Sequence, residues 1–96
     1  MSIASQDIAA DARPHLPRGV RLRYDAVRSE WNLLAPERVF KLDAIAVEIL
    51  KRCNGTATFG DIIADLATAF SADPVRVRKD VSALLNELVQ KRMVDL

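Results

Sequence analysis

The spacing of apolar residues changes once along the chain, at Asp43. Upstream, Val20, Leu22 and Tyr24 alternate with arginines, a period of two that indicates a strand with one buried and one wet face. Downstream, apolar residues recur with a period of about 3.6, and Asp43 can cap the free amides of a helix that begins at Ala44. Strands followed by helices predict an α+β fold.

Three strands are predicted upstream of Asp43. After the first, Trp31 and Leu33 mark a second strand, and Pro36 supplies the fixed φ that a β-turn takes at its second position. Residues 38–42 form the third strand. Connections this short predict an antiparallel meander whose first and third strands are edges.

Three helices are predicted downstream. They run from Ala44 to Cys53, from a Thr58–Asp61 capping box onward, and from the Asp73-Pro74 cap to about Gln90. The apolar residues of the first helix cover an arc of roughly 200°, so we expect it to pack between the sheet and the other helices. They are Ile45, Ala46, Val47, Ile49, Leu50 and Cys53. Residues 91–96 are expected to form a short strand or wing. The layout is winged helix-turn-helix-like, with a three-stranded antiparallel sheet followed by three helices.

The first residues differ in composition from the rest. Residues 1–17 are polar and alanine-rich, with two prolines near the end, and we interpret them as a flexible tail or linker before a domain of residues 18–96. His15 has no other metal-ligating residue at a suitable spacing and is expected to be solvated. The segment lacks the features of an export signal, so a cytoplasmic location is expected.

Size and charge restrict the function. A chain of 96 residues builds one small core, with little room for a deep catalytic pocket, and no nucleophile, base or phosphate-loop pattern is present. Cys53 is the only cysteine, and a small buried thiol is its simplest interpretation. No apolar run is long enough to span a bilayer. We therefore expect no enzyme activity, no metal, no cofactor and no membrane partner.

The third predicted strand could form part of a binding site. Its edge has free amides and carbonyls, and Arg38 and Lys41 are charges of the kind that discourage indiscriminate strand pairing. An extended peptide could add along residues 39–42. The alternative is an edge that its charges protect and that binds nothing.

The third predicted helix has a core stripe and a semi-apolar strip beside it. The stripe comprises Val77, Val81, Leu84 and Leu88, and the strip comprises Val75, Arg78, Ser82, Leu85 and Val89. The strip either packs under the terminal segment or forms one wall of a groove. The pattern alone leaves both possibilities open.

A DNA-binding winged-helix regulator is the alternative function. It requires a basic reading helix, and the third helix region carries Arg76, Arg78, Lys79, Lys91 and Arg92 against Asp80 and Glu87. This excess is small, the net charge of the chain is only +1, and no Asn/Gln cluster is present to read base edges. We therefore expect no nucleic-acid partner. The arginines between residues 13 and 28 form a solvated face or attract an acidic peptide.

Three segments carry a resemblance to a known family. The segments VRLRYDAVRSEWNLLAPERVFKLD and AVEILKRCNG, with the DV-x-x-LL-x-x-L spacing from Asp80 to Leu88, resemble the peptide chaperones of pyrroloquinoline quinone (PQQ) biosynthesis, the PqqD family. The resemblance implies a non-catalytic recognition domain for a ribosomally made precursor peptide. It also implies that the peptide is presented to a radical S-adenosylmethionine enzyme, which cross-links a Glu and a Tyr.

The same resemblance implies where the peptide binds. In that family the peptide lies between the third strand and the third helix. Carried over to this sequence, the strand positions are Arg38, Val39, Phe40, Lys41 and Leu42. On the helix, the angular positions select Val75, Arg78, Val81, Ser82 and Leu85. The family is also found fused to neighbouring pathway enzymes, so the tail could correspond to an interdomain linker.

Overall fold

The computed structural model describes residues 7–96 and contains the predicted order of strands and helices. The strands are β1 (Arg21–Asp25), β2 (Glu30–Ala35) and β3 (Arg38–Leu42). The helices are α1 (Ala44–Lys51), α2 (Phe59–Ala69) and α3 (Pro74–Gln90). The α+β prediction is confirmed.

The sheet is the predicted antiparallel meander, with strand order β1-β2-β3. Leu22, Leu33 and Phe40 are aligned across the three strands and share one face. This face packs into the core, because Leu33 is fully buried and its two neighbours pack against the same cluster. Pro36 and Glu37 make the turn between β2 and β3, with Glu37 at a φ of 63°.

Each helix begins at the cap that the sequence predicts. Asp43 Oδ1 accepts a hydrogen bond of 2.8 Å from the Ala46 amide at the start of α1. Thr58 and Asp61 form a complete capping box at α2. Asp73 accepts from the amide two residues later at α3, whose first turn contains the predicted proline. These contacts fix the helix starts through local side-chain chemistry.

The predicted first helix differs from α1 in two respects. It ends at Lys51 rather than at Cys53, with Arg52 as the C-cap residue. Ile45, which the helical pattern places on the apolar arc, is 66% exposed. It lies in the first turn, at one margin of that arc, and neither the sheet nor the other helices cover it.

Residues 8–17 differ from the predicted flexible tail. Ile8 is only 4% exposed and belongs to the core cluster. The carbonyls of Ala10 and Ala12 accept hydrogen bonds of 3.0 and 2.7 Å from the amides of Gly60 and Phe59. These are amides of the first turn of α2, which have no acceptor within the helix. The segment is therefore part of the domain; residues 1–6 of the predicted tail lie outside the described residues.

The terminal segment packs against the domain and does not project as a wing. Met93 and Val94 are buried in the core cluster at 0% and 1% exposure. Asp95 and His15 exchange two main-chain hydrogen bonds of 2.9 Å. Asp95 is therefore paired with His15, and no segment of residues 7–96 other than β2 pairs with β3.

None of the helices formed by residues 7–96 combines the length and the apolar character required to traverse a bilayer.

Candidate functional site

β3 lies beside the C-terminal half of α3, and the two run in opposite directions. Arg38, the first residue of β3, donates a hydrogen bond of 2.7 Å from Nη2 to the carbonyl of Lys91, which caps the end of α3. Asp43, just after β3, lines a cavity together with Asp80 and Leu84 from the middle of α3. The extended chain from residue 38 to residue 43 rises over five residues and spans about 16 Å. The helix from residue 80 to residue 91 rises over eleven residues and also spans about 16 Å. The two elements therefore match in length.

The outer side of β3 has main-chain groups available for another strand. Within residues 7–96, β3 pairs with β2 alone. A two-residue turn places a hydrogen bond between the Ala35 carbonyl and the Arg38 amide, and the direction of main-chain groups then alternates along the strand. The amides and carbonyls of Val39 and Lys41 consequently point away from β2.

The side chains of β3 alternate between two environments. Arg38, Phe40 and Leu42 lie opposite Ala35, Leu33 and Trp31 on the inner face of the sheet. Val39, which is 66% exposed, and Lys41 lie on the outer face. A strand added to β3 would have the same alternation, so every second side chain would point towards α3.

The inner side of this site combines an aromatic ring with two cations. The Arg38 guanidinium and the Lys91 ammonium lie 5.8 and 5.1 Å from the centroid of the Phe40 ring. Lys91 Nζ also lies 2.8 Å from Glu87 Oε2. The cations hold Phe40 between the start of β3 and the end of α3 through attraction to the ring face.

The residues that α3 and its C-cap place next to β3, or next to Asp43 just after it, lie on one stripe of the helix. It comprises Asp80, Leu84, Glu87 and Lys91, a spacing of four, three and four residues that lies on one side of a helix. In the sequence, Asp80 and Glu87 were considered as charges that offset the basic residues of this helix. The sequence signal that could have identified the stripe is an apolar residue, Leu84, at helical spacing between these two charges; in the structure Leu84 is partly buried. We call this set the groove stripe.

Two of the helix residues selected from the sequence belong to the core cluster, against which Phe40 and Leu42 of β3 also pack. Val81 and Leu85 are core residues, at 1% and 0% exposure. Leu85 belongs to the same core cluster as Met93 and Val94 of the terminal segment. The sequence pattern left two possibilities open for this strip, because helical angles identify faces without showing what covers each face.

Three other selected residues lie away from the groove stripe. Val75, Arg78 and Ser82 are about 120–180° around the helix from Leu84. Val75 and Arg78 are exposed there, and Ser82 is partly buried. The strand half of the predicted site, residues 38–42, does lie beside α3.

The Cys53 thiol and the possible metal-ligating side chains show no reactive arrangement among residues 7–96. Burial raises the pKa of the Cys53 thiol to about 12, and its Sγ donates to the Ile49 carbonyl at 3.3 Å. This protonated, buried thiol is a poor nucleophile. His, Cys, Asp and Glu side chains of residues 7–96 form no group of three or more that could hold a metal ion.

The groove can be compared with known proteins. The family described as coenzyme PQQ synthesis protein D (PqqD) matches residues 30–94. The chain belongs to this family. The matched range begins at β2 and includes β3, all three helices and the buried terminal segment, and therefore both sides of the groove. The resemblance to PqqD is confirmed.

Similar proteins extend the match to most of the chain. A PqqA binding protein of Xanthomonas axonopodis pv. citri is 45% identical over 89 residues, covering 93% of this chain and 97% of that protein. A PqqA binding protein of Rhodopseudomonas palustris is 45% identical over 91 residues, covering 93% and 89%. The likeness to these proteins thus includes residues before β1.

Two solved PqqD structures resemble this one. The PqqD truncation of Methylobacterium extorquens PqqCD, described as a functional and stand-alone RiPP recognition element, has a TM-score of 0.80 at 42% identity and covers 94% of this chain and 96% of that chain. The crystal structure of PqqD from Xanthomonas campestris has a TM-score of 0.59 at 43% identity and covers 94% and 100%. At nearly equal identity, the second structure differs more in the arrangement of its elements.

The charges of α3 in this PqqD chain do not favour the DNA-binding alternative. Arg76 Nε lies 4.0 Å from Asp80 Oδ2, and Lys91 is paired with Glu87. Two of the cations that a reading helix would direct at phosphates are thus beside carboxylates of the same helix. Membership of the PqqD family favours a peptide site over a DNA site.

Proposed function

We propose that this chain is a peptide-binding chaperone of PQQ biosynthesis that receives the precursor peptide PqqA as an additional strand on β3. The observation that carries the proposal concerns the side of β3 that no other strand of residues 7–96 occupies. This side lies beside the groove stripe of α3. Membership of the PqqD family and the names of its relatives identify the peptide.

Strand addition supplies both affinity and alignment. The amides and carbonyls of Val39 and Lys41 would form up to four hydrogen bonds with the peptide main chain, each with a net value of about 0.5–1.5 kcal/mol. Inward side chains of the peptide would contact Leu84, while Asp80 and Glu87 would lie at the polar margin of the groove. The main chain gives affinity and the groove stripe adds a preference for particular side chains.

Ordering a flexible peptide limits the affinity. Coupled folding and binding typically costs ~2–5 kcal/mol, so we expect a Kd between submicromolar and micromolar. A complex of this strength releases its peptide readily. That property suits a protein that presents a substrate to a second protein.

The chaperone is proposed to act without catalysis. It would hold PqqA in one conformation and present it to the radical S-adenosylmethionine enzyme that cross-links a Glu and a Tyr of the peptide. Holding the peptide near that enzyme raises its effective concentration. We place this role in the cytoplasm, where the lone Cys53 thiol would stay reduced.

A titration of ¹⁵N-labelled protein with synthetic PqqA tests strand addition. We expect the largest amide shifts at Val39 and Lys41, with smaller changes along the groove stripe. The matched variants Val39→Pro and Val39→Ala separate main-chain from side-chain effects, because only proline removes the outward amide. Binding that is weakened by proline and retained by alanine supports the proposal. Shifts confined to α1 or to residues 8–17 would refute it.

A further inference from the structure

An apolar cavity of about 210 Å³ opens beyond the end of β3. It lies between the start of α1, the end of α2 and the first turns of α3. Its apolar lining includes Ile45, Ile49, Leu66, Phe70, Val77 and Val81. We call it the three-helix pocket.

Two exposed apolar side chains line this pocket. Ile45 is 66% exposed and Phe70 is 57% exposed. Ile45 lies in the first turn of α1, and Phe70 is the C-cap residue of α2, just before the short turn into α3. Exposed apolar groups that converge on a cavity indicate a binding surface more often than single exposed residues do.

The three-helix pocket adjoins the groove beside β3, because it shares lining residues with a smaller cavity at the end of that groove. A smaller cavity of about 160 Å³ is lined by Asp43 and Leu84, and it shares Ile45, Ile49 and Asp80 with the pocket. Asp43 directly follows β3, and Leu84 belongs to the groove stripe. A peptide that leaves β3 at its Leu42 end would therefore pass Leu84 and reach the pocket.

We propose that the three-helix pocket takes one bulky apolar side chain of the precursor peptide, from the segment just beyond the residues that pair with β3. This inference rests on the proposed function, because it requires a peptide in the groove. An apolar cavity of about 150 Å³ can hold benzene, so a volume of about 210 Å³ accommodates a leucine or an aromatic side chain.

The residues that line the pocket are the reason for proposing an apolar side chain of the peptide. The charged residues of the pocket are Arg76 and Asp80, whose Nε and Oδ2 atoms lie 4.0 Å apart. Their opposite charges offset each other and leave no net preference for an anion or a cation. The remaining lining offers hydrophobic contact, which favours a side chain that leaves water.

The position of the pocket favours the peptide over a second copy of the chain. A stable protein interface usually buries about 800 Å² on each partner, far more than one pocket of this size provides. One inserted side chain matches the pocket better than a flat protein surface. The adjoining β3 groove would supply the rest of the contact area.

Calorimetric titration of PqqA into protein variants tests the inference. We expect Ile45→Thr and Phe70→Ser each to weaken binding roughly ten-fold, because each removes part of an apolar contact. Both residues are exposed, so thermal unfolding should change little. Val27→Ser is the matched control: Val27 is apolar, 95% exposed and located between β1 and β2. It should bind PqqA like the parent.

Alanine substitutions in the peptide identify the inserted residue. We expect one apolar residue of PqqA whose change to alanine weakens binding to the parent protein but has little further effect on the Phe70→Ser variant. Such non-additivity is the mark of a direct contact. If every apolar position of the peptide instead gave additive losses with Phe70→Ser, the inference would be overturned.

Val39→Pro separates failure of this inference from failure of the proposed function. If Val39→Pro weakens binding while Ile45→Thr and Phe70→Ser bind normally, the pocket inference fails and strand addition stands. If the pocket variants weaken binding and Val39→Pro does not, strand addition fails. If the pocket variants dissociate a dimer, measured by sedimentation, without changing PqqA affinity, a second copy is the occupant and the inference is overturned.

Discussion

The Arg38 guanidinium donates a hydrogen bond of 2.7 Å to the carbonyl of Lys91, joining the first residue of β3 to the C-cap of α3. This bond satisfies a carbonyl that the helix itself leaves without a partner. It also fixes one end of the proposed peptide groove. The spacing between β3 and α3 therefore depends on a side chain that the sequence suggested as an edge charge and as a peptide-binding residue, but not as a link to α3.

We predict that Arg38→Ala weakens PqqA binding more than it destabilises the fold. The loss of one exposed hydrogen bond should lower the free energy of unfolding by about 0.5–1 kcal/mol, since solvent replaces part of it. Binding should weaken further because the groove loses a fixed end. Urea unfolding and calorimetry measure the two effects. Lys79→Ala is the control: Lys79 is exposed on α3, outside the groove stripe, and its substitution should change neither.

Substitutions at Leu84 and Leu85 are predicted to affect different properties: peptide binding at Leu84 and stability at Leu85. Leu84→Ser removes apolar contact from the groove stripe, so PqqA affinity should fall while the fold persists. Leu85 is fully buried, so Leu85→Ala should lower the free energy of unfolding by about 2–5 kcal/mol. Chemical unfolding and PqqA titration of both variants check this assignment. If the Leu84→Ser variant is folded and binds PqqA with the affinity of the parent protein, Leu84 is not part of the site.

Ile8 is predicted to contribute to the core. Its 4% exposure implies that Ile8→Ala lowers the free energy of unfolding by about 2–5 kcal/mol. Val27→Ala, at a residue that is 95% exposed, should have almost no effect. If the two variants had the same free energy of unfolding in urea, residues 8–17 would be a flexible tail, as the sequence predicted.

The capping box of α2 predicts a pH dependence of stability. The Thr58 amide donates to Asp61 Oδ2 at 3.1 Å and lowers the pKa of that carboxyl. The stability contributed by the ionised carboxylate is therefore present above the ordinary pKa of about 4 and is lost as the pH falls through the lowered value. Asp61→Asn should reduce the loss of stability on acidification below about pH 4. Unfolding curves at several pH values measure it, and an unchanged slope would contradict the assignment.

The elements that the sequence predicted well depend on local chemistry. Asp43, Thr58 and Asp73 cap helices through contacts within three residues, so their positions could be read directly. The alternation of apolar and polar residues in β1 and the turn at Pro36 also depend only on residues that are close in sequence. Strand order followed from the shortness of the turns.

The parts that the sequence predicted poorly depend on contacts between distant segments. Residues 8–17 are anchored largely through main-chain carbonyls, which leave no side-chain signature. The faces of α3 were identified, but not the segment that covers each one. Leu85 is buried in the same cluster as Met93, whereas Leu84 lies beside the end of β3.

Amide hydrogen exchange at β3, with and without PqqA, tests the central claim most directly. The account predicts that the Val39 and Lys41 amides exchange quickly in the free protein and become protected on peptide binding, while the Phe40 amide is protected in both states. Saturating peptide that leaves Val39 and Lys41 as quickly exchanging as before would contradict strand addition on β3.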